Sequence, residues 1–122
     1  MAEIKRSERV AMRVQEELAR MLSRDVKDPR VRNVVISRVT MTDDLRHAKI
    51  YVRLLVDDES MRAEALKGLS KASPMLRSGI TKGAKLRYAP DLHFVYDAGQ
   101  DDVLRIERLL HEVKTEREQK KS

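Results

Sequence analysis

Residues 33–56, NVVISRVTMTDDLRHAKIYVRLLV, form the stretch that indicates the fold most clearly. β-Branched residues dominate 33–42, and this enrichment predicts a strand. In 46–56, apolar and polar positions alternate, and the apolar ones that share a face are Ala48, Ile50, Val52, Leu54 and Val56. The Asp43-Asp44 pair between the two runs is typical of a turn. The stretch therefore predicts an antiparallel hairpin with one buried face.

An amphipathic helix is predicted before the hairpin. Apolar residues recur three or four positions apart, at Val10, Val14, Leu18, Met21 and Leu22. Asp28-Pro29 ends the pattern, because proline disfavours a helical conformation in the residue before it.

A second helical region follows the hairpin from about Ser60, where Asp57, Asp58 and Glu59 are placed to cap it and to complement its dipole. Pro74 has no N–H and would clash with the preceding turn, at a cost of about 3 kcal/mol inside a helix. Ser73 is a favoured N-cap, and proline is favoured directly after one. We therefore expect two helices that meet at a kink at Ala72-Ser73-Pro74, the second ending near Leu86.

The remaining pattern completes a single α+β domain. Residues 91–97 are predicted to form a third strand, and 103–113 an amphipathic helix. Residues 114–122 are polar and are expected to be disordered. The domain is thus assigned to 1–113, with helices on one face of a three-stranded sheet. The long helical crossover allows strand 91–97 to lie parallel to strand 46–56.

The charge distribution is uneven. The net charge is +6, and charged residues make up 38% of the chain, where about a quarter is usual. Residues 65–90 contain no Asp or Glu, and their six basic residues account for the whole net charge. A second stretch without acids, 29–42, carries Arg30, Arg32 and Arg38. A partner rich in phosphates fits such a window, since each neutralised phosphate releases a counterion.

Composition excludes several other classes of function. Without cysteine, the chain has no disulfides, thiol nucleophiles or cysteine-based zinc sites. No apolar run approaches the roughly 18 residues of a membrane span, and Met1 to Arg9 lacks the apolar core of a signal peptide, so a cytoplasmic protein is expected. Aromatic residues are only 3% of the chain, which leaves few rings on which bases could stack.

Candidate catalytic and metal-binding groups are few. The three histidines are scattered along the chain at His47, His93 and His111, and packing or surface positions explain them best. The acidic pairs lie at turns and helix starts, where Asp is favoured for backbone hydrogen bonding. Gly79 and Gly83 are spaced by four inside a predicted helix, which indicates close helix packing rather than a Gly-x-x-Gly clamp. We expect no metal, no cofactor and no catalysis.

Four segments together resemble the bacterial ribosome-binding factor A family, in the same order and spacing over about residues 5–113. They are DPR at 28–30, TDDLRHAKIYV at 42–52, KASP at 71–74 with LRS at 76–78, and LRYAPDLHFVYD at 86–97. The resemblance implies a type II KH-like fold with a helix-kink-helix in place of the Gly-x-x-Gly clamp. It also implies a non-enzymatic factor that binds the immature small (30S) ribosomal subunit. Such a factor assists late processing of 16S rRNA, above all in the cold.

The expected RNA-binding surface is the kinked helix pair with the basic window around it. Its residues are Lys67, Lys71, Ala72, Ser73, Arg77, Lys82, Lys85 and Arg87, with Arg30 and Arg32 widening the footprint. The family usually has glycine where this chain has Pro74, which removes one backbone N–H at the kink. A monomer that binds neither membranes nor small molecules is expected.

Two other functions remain compatible with the sequence. One is a small ribosomal or hibernation-type protein that stays bound for long periods. The other is a protein-interaction module whose basic face meets acidic partners. An assembly factor should sediment with free or immature small subunits, whereas a long-bound ribosomal protein should also sediment with polysomes. Binding to naked RNA, compared with binding to an acidic protein, distinguishes both from a protein-interaction module.

Overall fold

The computed structural model describes residues 4–56 and 58–97. In these ranges the chain forms α1 (Arg6–Arg24), a short 3₁₀ turn (Pro29–Val31), β1 (Val34–Met41), β2 (His47–Leu54), α2 (Glu59–Gly83) and β3 (Asp91–Tyr96). The predicted helix at 103–113, the polar tail and His111 lie outside the described residues.

The three strands form one sheet in the order β1-β2-β3. β1 and β2 pair antiparallel, which confirms the predicted hairpin. β3 pairs with β2 in parallel, the relation that the helical crossover allows. The pairing of β1 with β2 shifts register between Ile36 and Arg38, so Ser37 is the extra residue of a bulge.

One face of the sheet packs under both helices. The core combines the α1 stripe predicted from the sequence with inward-facing strand residues such as Ile50 and Val52 and with Leu69, Leu76 and Ile80 of α2. The predicted inward face of β2 is confirmed as far as Leu54. The prediction that Val56 shares this face is wrong, because the strand ends at Leu54 and Val56 is 66% exposed.

The two helices approach closely at small residues. A Cβ added to Gly79 would collide with Sδ of Met21 on α1, and one added to Gly68 would lie 2.9 Å from Val31 in the 3₁₀ turn. The close-packing interpretation of Gly79 is therefore confirmed. Gly68 has the same role about three turns nearer the start of α2, where it lets the 3₁₀ turn approach the helix.

The predicted break at Ala72-Ser73-Pro74 is wrong. α2 is one helix through Pro74, and Ser73 lies in its interior rather than at an N-cap. Proline removes only one helical hydrogen bond, whereas apolar residues on both sides of it, Leu69 and Leu76, are fully buried in the same core. Packing therefore holds both halves in one helix.

The helix ends three residues before the predicted Leu86. Lys85 has φ of 55°, in the left-handed region. The Leu86 N–H donates to Thr81 O at 2.9 Å, and the Lys85 N–H to Lys82 O at 3.3 Å. This is the Schellman arrangement that closes a helix, with lysine where glycine is usual.

Candidate nucleic-acid interface

The exposed side of α2 carries three of the predicted basic residues in one row. The helix begins at Asp58, whose carboxylate accepts a hydrogen bond from the Ser60 N–H at 3.0 Å, as the capping prediction required. Residues three or four positions apart share a helical face, which places Lys67, Lys71 and Lys82 on the side away from the core. All three are exposed. We call these residues, together with Arg30, Lys85 and Arg87, the α2 surface.

A groove joins Arg30 to this row. The chain from Asp25 to Arg30 lies against α2, and the groove between them has a volume of about 520 Å³. Arg30, Lys71 and Ala72, all predicted site residues, line it. Lys27 also lines it, although the sequence analysis did not single out this residue. Lys27 did not stand out as a basic residue because Asp25 and Asp28, close to it in the sequence, offset its charge.

Arg30 is held in place by Asp28. Its guanidinium donates to both carboxylate oxygens, with Nη2 at 2.7 Å from Oδ2. These bonds, together with the Arg30 backbone N–H and the nearby charges of Arg30 and Lys71, lower the pKa of Asp28 to about 2. The pair therefore stays ionised, and Arg30 presents a fixed rather than a mobile cation beside α2. A weaker contact, 3.9 Å, joins it to Glu64.

Arg77 has a structural role that the sequence did not reveal. Its Nε donates to Pro90 O at 3.0 Å and its Nη2 to Ala89 O at 3.3 Å, while Nη2 also lies 3.3 Å from Asp91 Oδ1. Arg77 thus ties α2 to the segment that enters β3. We therefore expect reversal of its charge to destabilise the protein, since two backbone carbonyls would lose their donor.

Just beyond the end of α2 lie Lys85 and Arg87, which are exposed like Lys82. Tyr88 follows them, and its ring lies 5.7 Å from the Arg87 guanidinium carbon and 5.1 Å from that of Arg46. Arg46 is brought here because its carbonyl accepts a hydrogen bond from the Asp91 N–H. It was missed because it precedes β2, far from the basic window in the sequence.

The other predicted site residues occupy different environments. Lys67 lies 3.5 Å from Glu64, so part of its charge is compensated. Ser73 is half-buried inside α2 and offers no free helix start to a phosphate. Arg32 lies apart from the α2 surface, in a groove of about 650 Å³ between the end of α1 and β1.

His47 and His93, which the sequence left scattered, come together on the sheet. Their rings stack with centroids 5.4 Å apart, and Nδ1 of His47 lies 3.2 Å from Nε2 of His93.

No group of three potential metal-ligating side chains occurs within residues 4–56 and 58–97. The Asp44 carboxylate accepts from the Thr42 hydroxyl and the Arg46 N–H, which lower its pKa, so it serves the turn as predicted. Among the helices of the described ranges, none has both the length and the apolar character of a membrane span.

Comparison with known proteins agrees with this arrangement. The family model described as ribosome-binding factor A matches residues 6–110. A curated protein named ribosome-binding factor A, from Sorangium cellulosum, is 46% identical over 113 residues, which cover 91% of this chain and 90% of that protein. The chain belongs to the ribosome-binding factor A family.

Solved structures of this family share the fold. A solution structure from Thermotoga maritima, described as a putative ribosome binding factor A, is 30% identical, with a TM-score of 0.68 over 82% of this chain and 94% of that one. The crystal structure of ribosome-binding factor A from Thermus thermophilus has a TM-score of 0.63 at 22% identity, over 74% and 94% of the two chains. The α+β architecture described above is the KH-like fold of these relatives.

Proposed function

We propose that this protein binds the immature 30S ribosomal subunit through its 16S rRNA and assists late processing of that RNA, including during growth in the cold. The observation that carries the proposal is the α2 surface, in which the stretch without acidic residues becomes a row of exposed cations. Family membership supports a ribosomal target. A related Thermus thermophilus factor has been fitted, as a homology model, into the map of a complex with the 30S subunit.

The chemistry of the surface favours recognition of phosphates over recognition of bases. Lys71 and Lys82 present ammonium groups without a carboxylate partner among the described residues, and Arg30 adds a guanidinium whose charge Asp28 partly compensates. Such a surface neutralises phosphates along an RNA backbone and releases their counterions. We expect the affinity for ribosomal RNA to fall steeply with salt, by about 0.7–0.9 log units per log unit of salt for each phosphate contacted.

The decisive experiment reverses charge on this surface without touching Arg77. Lys71→Glu with Lys82→Glu changes two exposed side chains, each worth about 0.5 kcal/mol or less, so stability should stay within about 1 kcal/mol of wild type. The matched control, Arg9→Glu with Arg13→Glu, changes the net charge equally on the exposed side of α1. The α2 variant should leave the 30S fractions of a sucrose gradient, whereas the control should remain in them. If both variants co-sediment like wild type, the RNA-binding surface lies elsewhere.

The same gradients test the role in assembly. A factor that acts as a cytoplasmic monomer and catalyses no reaction should accompany free or immature small subunits and be absent from polysomes. Cells that lack it should accumulate precursor 16S rRNA, and more of it in the cold. Stable presence in polysomes would instead support a ribosomal or hibernation-type protein.

A further inference from the structure

In the described part of the chain, the side chains on the face of the sheet turned away from the helices are exposed or half-buried. Its central residues form two rows across the three strands. Register places Arg38 beside Tyr51 and Tyr51 beside Val95, and it places Thr40 beside Lys49 and Lys49 beside His93. We call these six residues the sheet face. Arg38, Lys49 and His93 are exposed, in contrast to the inward residues of the same strands.

The sheet face combines aromatic rings with cations. The Tyr51 ring lies 5.5 Å from the Arg38 guanidinium carbon and 5.4 Å from Lys49 Nζ. Next to them the stacked His47–His93 pair adds two more rings, and Thr40, His47, Lys49 and His93 help line a shallow cavity of about 380 Å³. Within residues 4–56 and 58–97, neither Arg38 nor Lys49 has an ion-pair partner.

The carboxylates at the margins of the sheet face are already engaged. Asp91 lies 3.3 Å from Arg77, and Asp97 accepts a hydrogen bond from Ser37 and lies 3.4 Å from Arg53. The centre of the sheet face is therefore positively charged, and the two carboxylates at its margins are already paired with cations. Rings that carry bases and cations that contact the intervening phosphates are the two elements by which a sheet binds single-stranded nucleic acid.

We propose that the sheet face is a second binding surface, which takes a single-stranded segment of RNA while the α2 surface contacts another part of the same RNA. One unpaired base stacks on Tyr51, and Arg38 and Lys49 contact the flanking phosphates. The inference rests on the proposed function for the class of ligand, but it uses residues on the opposite side of the sheet.

The test uses the full chain and a fluorescein-labelled, adenine-rich, single-stranded RNA of 12 nucleotides, followed by anisotropy at fixed salt. Tyr51→Leu and Lys49→Gln should each weaken binding about fivefold or more, because stacking on one ring and one phosphate contact are lost. Arg13→Gln, which removes an exposed cation from α1, is the matched control and should bind like wild type. If the affinities of both sheet-face variants stay within twofold of wild type, the proposal is overturned.

A second measurement locates the RNA whether or not Tyr51→Leu folds. In amide NMR spectra of the wild-type chain, the RNA should shift the signals of Arg38, Lys49, Tyr51 and His93. Shifts confined to α2, or no binding at all, would overturn the proposal. So would protection of the exposed Lys49 amine from acetylation in the free protein, which would mean that another part of this chain covers the face. Failure of the proposed function is seen separately, in the sedimentation of the Lys71→Glu, Lys82→Glu variant.

Discussion

Replacing Lys85 with glycine should stabilise the protein while removing a cation from the α2 surface. Lys85 closes α2 with φ of 55°, and its N–H and that of Leu86 complete the Schellman hydrogen bonds. Glycine keeps both bonds and avoids the contact between Cβ and backbone that makes this conformation unfavourable, by about 1–2 kcal/mol, for other residues. The greater freedom of glycine in the unfolded chain offsets about 0.5–1 kcal/mol of that gain.

The expected net effect is a rise of about 0.5–1 kcal/mol in the free energy of unfolding, or about 2–4 °C in Tm for a domain of this size. Urea and thermal unfolding followed by circular dichroism measure it. Lys85→Ala is the control, because alanine removes the same charge but keeps a Cβ, so its stability should match wild type. If Lys85→Gly and Lys85→Ala unfold at the same urea concentration, the argument from the backbone angle is refuted.

Three further predictions concern other contacts. Gly79→Val should destabilise the protein by about 2 kcal/mol, because the added side chain collides with Met21. The double variant Gly79→Val with Met21→Ala should lose at least 1 kcal/mol less stability than the sum of the two single changes. If the free energies of urea unfolding are additive, this contact is excluded. Arg77→Lys keeps the charge but loses the two-pronged contact with Ala89 and Pro90, so the free energy of unfolding should fall by about 1 kcal/mol, and a value equal to wild type would contradict the tether. Arg30 holds the pKa of Asp28 at about 2, below its ordinary 3.8, so ionised Asp28 stabilises the folded state above about pH 4. As pH falls from about 4 to 2, wild type should lose stability relative to Asp28→Asn, and acid titration of both proteins would disprove this if their difference stayed constant.

Within the described residues, local patterns were sufficient to predict the three strands, α1, the approximate extent of α2 and most of the core. Alternation in β2 and the spacing of Val14, Leu18 and Leu22 in α1 report burial directly, because each face of a strand or helix meets one environment. The parallel pairing of β3 was allowed by the length of the crossover and is confirmed. At Pro74 local preference failed, because it takes no account of the buried residues that hold the helix on both sides.

The details of the candidate site depend on contacts that are distant in sequence. The tether of Arg77 to Pro90 and the pairing of His47 with His93 both arise from the way in which β3 returns beside β2. Neither residue in such a pair carries a local signal of its partner. The stretch without acidic residues predicted where the α2 surface lies. It did not show that one cation of that stretch, Arg77, holds the fold together instead.

The parallel pairing of β2 with β3 also constrains the order in which the protein folds. β1 and β2 are joined by a short turn, so their hairpin closes with little loss of chain entropy. β3 can pair only after α2 has formed and returned the chain to the start of β2, a contact across a much longer loop. We therefore expect β3, at the edge of the sheet, to join last and to detach first in local unfolding. Amide protons of β3 would then exchange with solvent faster than those of β2, and His93 would part from His47 while the hairpin stays intact.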